Sequence, residues 1–129
     1  MRKASTKERY STLNLQKAGG PCRLYSGIQR AFAMKLEEDA QIKSFQVNVL
    51  LDRPMTTAPG EWMPGESFMS DFVIEYMDGR QSVRETVQRI ELSRFSVLEK
   101  LDYSCQYWKT QGIEDWGLVV DKKEKENAD

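Results

Sequence analysis

The sequence contains no histidine, and its only two cysteines, Cys22 and Cys105, stand far apart without forming a C-x-x-C pair. The lack of histidine excludes a catalytic Ser-His or Cys-His pair and argues against a zinc site. No apolar run approaches the length of a membrane span, and the N-terminus lacks the apolar core of a signal peptide. We therefore expect a cytoplasmic protein with reduced thiols and no membrane contact.

Positive charge is concentrated at the start of a chain that is otherwise mildly acidic. The 129 residues carry a formal net charge of −1, whereas residues 1–30 hold seven Lys and Arg side chains against one acid, Glu8. Residues 1–24 are polar and include the structure-breaking stretch Lys17–Pro21, which predicts a basic arm with little fold of its own. Such an arm either binds the backbone of DNA or is simply solvated.

Between residues 25 and 120, hydrophobic periodicity predicts the order α-β-β-β-α-β. The predicted elements are a helix at Ser26–Glu38, a strand at Ile42–Leu51, a hairpin of Phe68–Met77 and Gln81–Val87, a helix at Leu92–Gln111 and a strand at Asp115–Val120. Because a long helix separates the last two strands, the final strand can pair parallel with an earlier one. The fold class is therefore α/β, with a mixed sheet flanked by helices.

Two segments are predicted to lie outside the regular elements. Residues 52–67 contain three prolines and two glycines, a composition that excludes a helix or a central strand. A loop of this length is usually functional or mobile, and its Trp62 is a candidate contact for a partner protein. Residues 121–129 are charged and are predicted to be a disordered tail.

The predicted hairpin carries two acidic residues on adjacent strands. Asp71 begins its first strand, and Glu85 lies between Val83 and Val87 on one face of its second strand. A carboxylate among apolar neighbours needs a cation, hydrogen bonds or a proton. An Mg²⁺ ion held by both carboxylates would meet that need, whereas on a solvated edge Glu85 could instead pair with an arginine.

The succession of three stretches resembles a known family of nucleases. The stretches are IQRAFAMKLEEDAQIKSFQVN, SDFVIEYMDGR and SVRETVQ. They are similar to the N-terminal nuclease domain of the TnsA-type transposon-end endonucleases, within the PD-(D/E)xK superfamily. The resemblance covers about residues 25–120 and implies a restriction-endonuclease-like core for this nuclease-like domain.

The resemblance also implies an active site with a helix glutamate, a hairpin aspartate, a second acidic or amide residue, and a lysine. Asp71 and Glu85 match two ligands for Mg²⁺ or Mn²⁺. Gln29 stands near the place of the helix glutamate, and Val87 occupies the place of the lysine. Arg84 is a nearby cation that cannot act as a base but could stabilise a phosphate.

Three functions therefore stand as hypotheses. The first is a metal-dependent DNA endonuclease in transposition or recombination, with a transposase as partner. The second is a catalytically inactive nuclease fold that binds DNA or protein, and the third is a small interaction protein without a nucleic-acid role. The candidate DNA contacts are Arg2, Lys3, Lys7, Arg9, Arg23, Arg30 and Arg89.

Overall fold

A computed structural model describes residues 9–51 and 68–121, which form six strands and two α-helices. In chain order these are β1 (Ser11–Leu15), β2 (Gly20–Leu24), α1 (Gly27–Glu38), β3 (Ile42–Leu50), β4 (Met69–Tyr76), β5 (Gln81–Val87), α2 (Phe95–Thr110) and β6 (Trp116–Val120). Short 3-10 helices lie at Gln16–Ala18 and Arg89–Ser93. From α1 onward the order is α-β-β-β-α-β, as predicted.

A four-stranded mixed sheet forms the centre of the fold, with strand order β3-β4-β5-β6. The first three strands are antiparallel, and β6 runs parallel to β5 after the crossover through α2. The hairpin of β4 and β5 turns at Asp78-Gly79, where Gly79 has a φ of 92°. The α/β class and the mixed sheet expected from the sequence are confirmed.

The chain before α1 differs from the expected unstructured arm, because residues 11–24 form an antiparallel hairpin of β1 and β2. Gly19 and Gly20 both have positive φ angles, of 91° and 135°, which close the connection between the two strands. Leu15, Cys22 and Leu24 are buried and belong to the main core. The two glycines therefore do not break the structure, since they allow the backbone conformation that a tight connection requires.

Aromatic and aliphatic side chains of α1, β3 and β4 form the core. Phe72 of β4 is fully buried, and its ring lies 5.1 Å from that of Phe32 and 6.1 Å from that of Phe45, measured between centroids. The other buried members of this cluster are Leu15, Cys22, Leu24, Ala33, Leu36, Ile42 and Ile74. The N-terminal hairpin and α1 are thus joined to the sheet by apolar burial.

The orientation of α2 differs from the predicted one. The helical spacing predicts a core stripe of Leu92, Phe95, Leu98, Leu101, Cys105 and Trp108. In the structure Phe95 is 73% exposed and Leu98 45% exposed, and the fully buried positions of α2 are Tyr103 and Ser104. The helix is therefore buried at Tyr103 and Ser104, and the Ser104 side chain makes a polar contact with the sheet there.

The turn of the β4–β5 hairpin gives a first prediction. Gly79→Ala should lower the free energy of unfolding by about 1 kcal/mol, because alanine is strained at a positive φ. A Cβ atom at Gly79 would meet no atom within 4 Å, so the cost would come from the backbone alone. Urea unfolding measures this loss in the free energy of unfolding. Gly27→Ala is the control, because Gly27 has equally open surroundings without a positive φ, and an equal loss there would contradict the argument.

Candidate metal site

Asp71 and Glu85 meet where strands β4 and β5 leave their regular pairing. The paired residues extend as far as Phe72 and Arg84. Beyond that pair, the backbone N–H of Asp71 donates to Oε1 of Glu85 at 2.9 Å. The N–H of Thr86 donates to Oδ2 of Asp71 at 2.7 Å. Each carboxylate thus accepts a hydrogen bond from a backbone N–H of the opposite strand, where regular pairing would have a backbone carbonyl as acceptor. These two hydrogen bonds hold the end of the hairpin together.

Hydroxyl and indole groups complete a buried network around Glu85. The Ser104 hydroxyl of α2 donates to Oε2 of Glu85 at 2.6 Å and accepts from Nε1 of Trp116 at 2.9 Å. Nε1 of Trp108 donates to Ser70 Oγ at 2.9 Å, and this oxygen lies 3.4 Å from Ser104 Oγ. The network connects β4, β5, β6 and α2 at one point.

The sequence did not predict the members of this network other than the two acids. The apolar stripe predicts packing alone for Trp108, although its indole N–H has a polar partner in the structure. The one available signal is the spacing of Ser104 and Trp108, which lie four residues apart and therefore on one face of α2. A polar residue one turn before a tryptophan does not by itself reveal which strand it contacts.

Burial shifts the protonation of both acids toward the neutral form. Glu85 is only 3% exposed, and its burial, together with the negative charge of Asp71, raises its pKa to about 7. Hydrogen bonds from Ser104, Ser70 and the Asp71 amide oppose that rise. Burial also raises the pKa of Asp71, while the two hydrogen bonds from Thr86 lower it. Two neighbouring carboxyls that resist ionisation would be stabilised as anions by a bound cation.

The pair fits a hydrated magnesium ion in its donor chemistry. Mg²⁺ is commonly held by one or two carboxylates, with water and substrate oxygens completing its octahedron. Among the described residues, the hydrogen bonds to the Asp71 carboxylate all end on Oδ2. In the same part of the chain, no group of three or more His, Cys, Asp or Glu side chains is placed to hold a metal. Asp71 and Glu85 are therefore the two carboxylates of the described residues that would hold the ion.

Gln29, the predicted third member of the site, has its amide bonded elsewhere. Its Oε1 accepts the N–H of Tyr25 at 2.8 Å, and its Nε2 donates to Oδ1 of Asn48 at 2.9 Å. Asn48 in turn donates to the Arg23 carbonyl at 2.7 Å. By the register of β3 and β4, Asn48 is level with Asp71, but the hydrogen bonds of Gln29 described above end on Tyr25 and Asn48 and not on either acid.

The predicted phosphate-binding arginines also lie away from the two acids. Arg84 alternates with Glu85 along β5 and donates to Asp115 through Nη2 at 2.8 Å and Nη1 at 3.1 Å. Arg89 donates to Asp121 from its backbone N–H and from Nε. Arg84 thus connects β5 to the residue before β6, and Arg89 connects the segment after β5 to the residue that follows β6. Val87, where the resemblance expects lysine, is 6% exposed.

The basic residues predicted to contact DNA divide into three groups. Arg9 and Arg30 line an open cleft beside the N-terminal hairpin, with Arg23 next to it. Arg89 contacts Asp121 through its backbone and its side chain. Arg2, Lys3 and Lys7 lie outside the described residues, as do Trp62 with its loop and residues 122–129 of the tail.

Comparison of the chain with protein-family models and with curated proteins finds no match. The likeness to TnsA-type nucleases consequently rests on the three sequence stretches that resemble them. Neither helix in residues 9–51 and 68–121 is long and apolar enough to cross a membrane.

Proposed function

We propose that Asp71 and Glu85 bind Mg²⁺ or Mn²⁺ in a TnsA-like, restriction-endonuclease-like protein that cleaves DNA in transposition or recombination. The observation that carries the proposal is the hydrogen bond from the Asp71 backbone N–H to the Glu85 carboxylate across the hairpin, with the pKa of each acid raised. Glu85 is buried and Asp71 half-buried, and a bound cation would offset the cost of placing two neighbouring carboxylates there. A transposase remains the partner that the resemblance implies.

The side chains around the acids have defined tasks in this proposal. Thr86 orients the Asp71 carboxylate through two hydrogen bonds to Oδ2, and Ser104 orients Glu85 through Oε2. The proton that Glu85 holds near neutral pH must leave before the carboxylate can serve as a ligand. The bound ion would polarise the scissile phosphate and favour hydroxide formation from water.

Metal binding should depend strongly on Asp71. Asp71→Asn removes one of two charged ligands, so we expect Mg²⁺ or Mn²⁺ affinity to fall on the order of a hundredfold by calorimetry. Glu75→Gln is the matched control, because Glu75 lies on the same strand and its ion pair among the described residues is an exposed one with Lys43 at 3.8 Å. Absence of metal binding in the wild type, or equal binding in wild type and Asp71→Asn, would refute the metal site.

A second function, DNA or protein binding without cleavage, is favoured by the position of the cations. Arg84 and Arg89 are bonded to Asp115 and Asp121, and buried Val87 replaces the lysine that the family uses. A site without that lysine has no equivalent group to offset charge on the phosphate. Incubating DNA with protein and saturating Mn²⁺ separates the two functions. If the wild type binds metal but nicks DNA no more than Asp71→Asn does, the second function, binding without cleavage, is supported.

A further inference from the structure

A second candidate site lies between the N-terminal hairpin and the start of α1, apart from the two acids. It is an open cleft of about 600 Å³. Its lining residues are Arg9, Tyr10, Ser11, Leu24, Tyr25, Ser26, Gly27 and Arg30. This volume lies in the range of small-molecule sites, and the lining combines two guanidinium groups with two phenol rings and no carboxylate.

The aromatic side chains of the cleft are accessible. Tyr10 is 45% exposed and Tyr25 43% exposed, and their rings meet edge to face at 5.8 Å between centroids. The Arg23 guanidinium lies 4.7 Å from the centroid of the Tyr10 ring. Tyr10 is thus held between Tyr25 and Arg23, while much of Tyr25 remains open to a planar ligand.

Among the described residues, the two arginines of the cleft differ from Arg80 and Arg84 in having no acidic partner. Arg80 and Arg84 form ion pairs with Asp78 and Asp115. Among the residues that the structure describes, no carboxylate pairs with the Arg9 or Arg30 side chain. Their positive charge is therefore available to an anion.

The start of α1 adds to the positive potential. Its first turn contains no acidic residue, although acids are favoured there by the helix dipole. Arg30 follows at the fourth helical position, where a cation is unfavourable unless an anion balances it. A Cβ atom at Gly27 would meet nothing within 4 Å, so the space above the first turn is open.

We propose that this cleft binds a nucleotide unit, with its phosphate on Arg9 and Arg30 and its base against the ring of Tyr25. Guanidinium groups and the positive end of the helix dipole suit the phosphate, and a phenol ring stacks with any base. The unit can be a free nucleotide or one nucleotide within a strand, since both present the same phosphate and base. Neither Asp71 nor Glu85 lines the cleft, so this proposal does not rest on the proposed metal chemistry.

The test uses the full chain and a labelled, 5′-phosphorylated oligothymidylate, followed by fluorescence anisotropy. Arg30→Gln should weaken binding about tenfold, and Tyr25→Leu about as much. Lys35→Gln is the matched control, because it removes one positive charge from an exposed site on the same helix, and it should change affinity by about twofold or less. A chelator in the assay keeps Asp71 and Glu85 free of metal, so that failure here and failure of the metal site are distinguishable.

Competition identifies the source of the ligand. If dTMP displaces the labelled oligothymidylate as strongly as the unlabelled oligonucleotide does, the ligand is a free nucleotide. If only the unlabelled oligonucleotide displaces it, the ligand is a nucleotide within a strand. Three results would overturn the proposal: no binding by the wild type, equal weakening by Arg30→Gln and Lys35→Gln, or displacement by inorganic phosphate as effective as by dTMP. Equal weakening by the two variants would mean that positive charge attracts the oligonucleotide without a specific site. Equal displacement by inorganic phosphate and dTMP would mean that the base makes no contact. Circular dichroism of each variant confirms that it is folded.

Discussion

Glu85→Gln is expected to raise the free energy of unfolding by about 3 kcal/mol relative to the wild type at about pH 8. At about pH 4 the two proteins should have nearly the same free energy of unfolding. The difference arises because burial and the neighbouring Asp71 raise the pKa of Glu85 from its ordinary 4.5 to about 7. Glutamine removes the charge while its amide can still accept from the Asp71 N–H and donate to Ser104.

The sign follows from where the proton is bound. Between about pH 4.5 and 7 the folded protein keeps a proton on Glu85 that the unfolded chain has lost. Stability contributed by the neutral carboxyl is therefore complete below pH 4.5 and is lost as the pH rises through 7. Each pKa unit of that shift corresponds to about 1.4 kcal/mol, which gives the expected 3 kcal/mol.

Urea unfolding across this pH range, with a chelator present, measures the effect. A chelator is needed because a bound cation would favour the charged form of Glu85 and so reduce the dependence of wild-type stability on pH. Glu75→Gln is the matched control, because it makes the same change at an exposed ion pair of β4. A Glu85→Gln variant that follows the wild-type pH dependence would show that Glu85 is charged in the folded protein at neutral pH.

The parts of the fold that could be predicted are those encoded by local signals. Alternation along Gln81–Val87 and the Asp78-Gly79 turn define the β4–β5 hairpin, and the same alternation places Asp71 and Glu85 on neighbouring strands. Serine is a favoured residue just before a helix, and the Ser26 side chain accepts from the Gln29 N–H at the start of α1. These features depend on residues close together in sequence, so a short window contains their cause.

The features that escaped prediction depend on contacts between distant segments. The partner of Ser104 is Glu85, nineteen residues earlier, and this contact helps to choose which face of α2 is buried. The Gln29 amide is bonded to Asn48, whose φ of 52° interrupts the regular pattern of β3. Helical periodicity shows that a helix has an apolar side, but it does not show which polar group a neighbouring strand will present.

Phe72→Ala is expected to lower the free energy of unfolding by about 3–5 kcal/mol. Phe72 is fully buried between Phe32 and Phe45, so removing its ring leaves a cavity between α1 and the sheet. A domain of this size has about 5–15 kcal/mol of stability in total, so the variant would retain little of it. Phe72→Leu, with a smaller expected loss, keeps the comparison measurable if the alanine variant does not fold.

Phe95→Ala is the control for that experiment, because the same side chain is removed from a site that is 73% exposed. Its cost should stay within about 0.5 kcal/mol in urea unfolding, as for most surface substitutions. A loss at Phe95 comparable with that at Phe72 would mean that the N-terminal half of α2 is covered in solution, and the apolar stripe inferred from the sequence would then be a buried face after all. A small loss at Phe72 would mean that the core is not centred on the aromatic contacts between α1, β3 and β4.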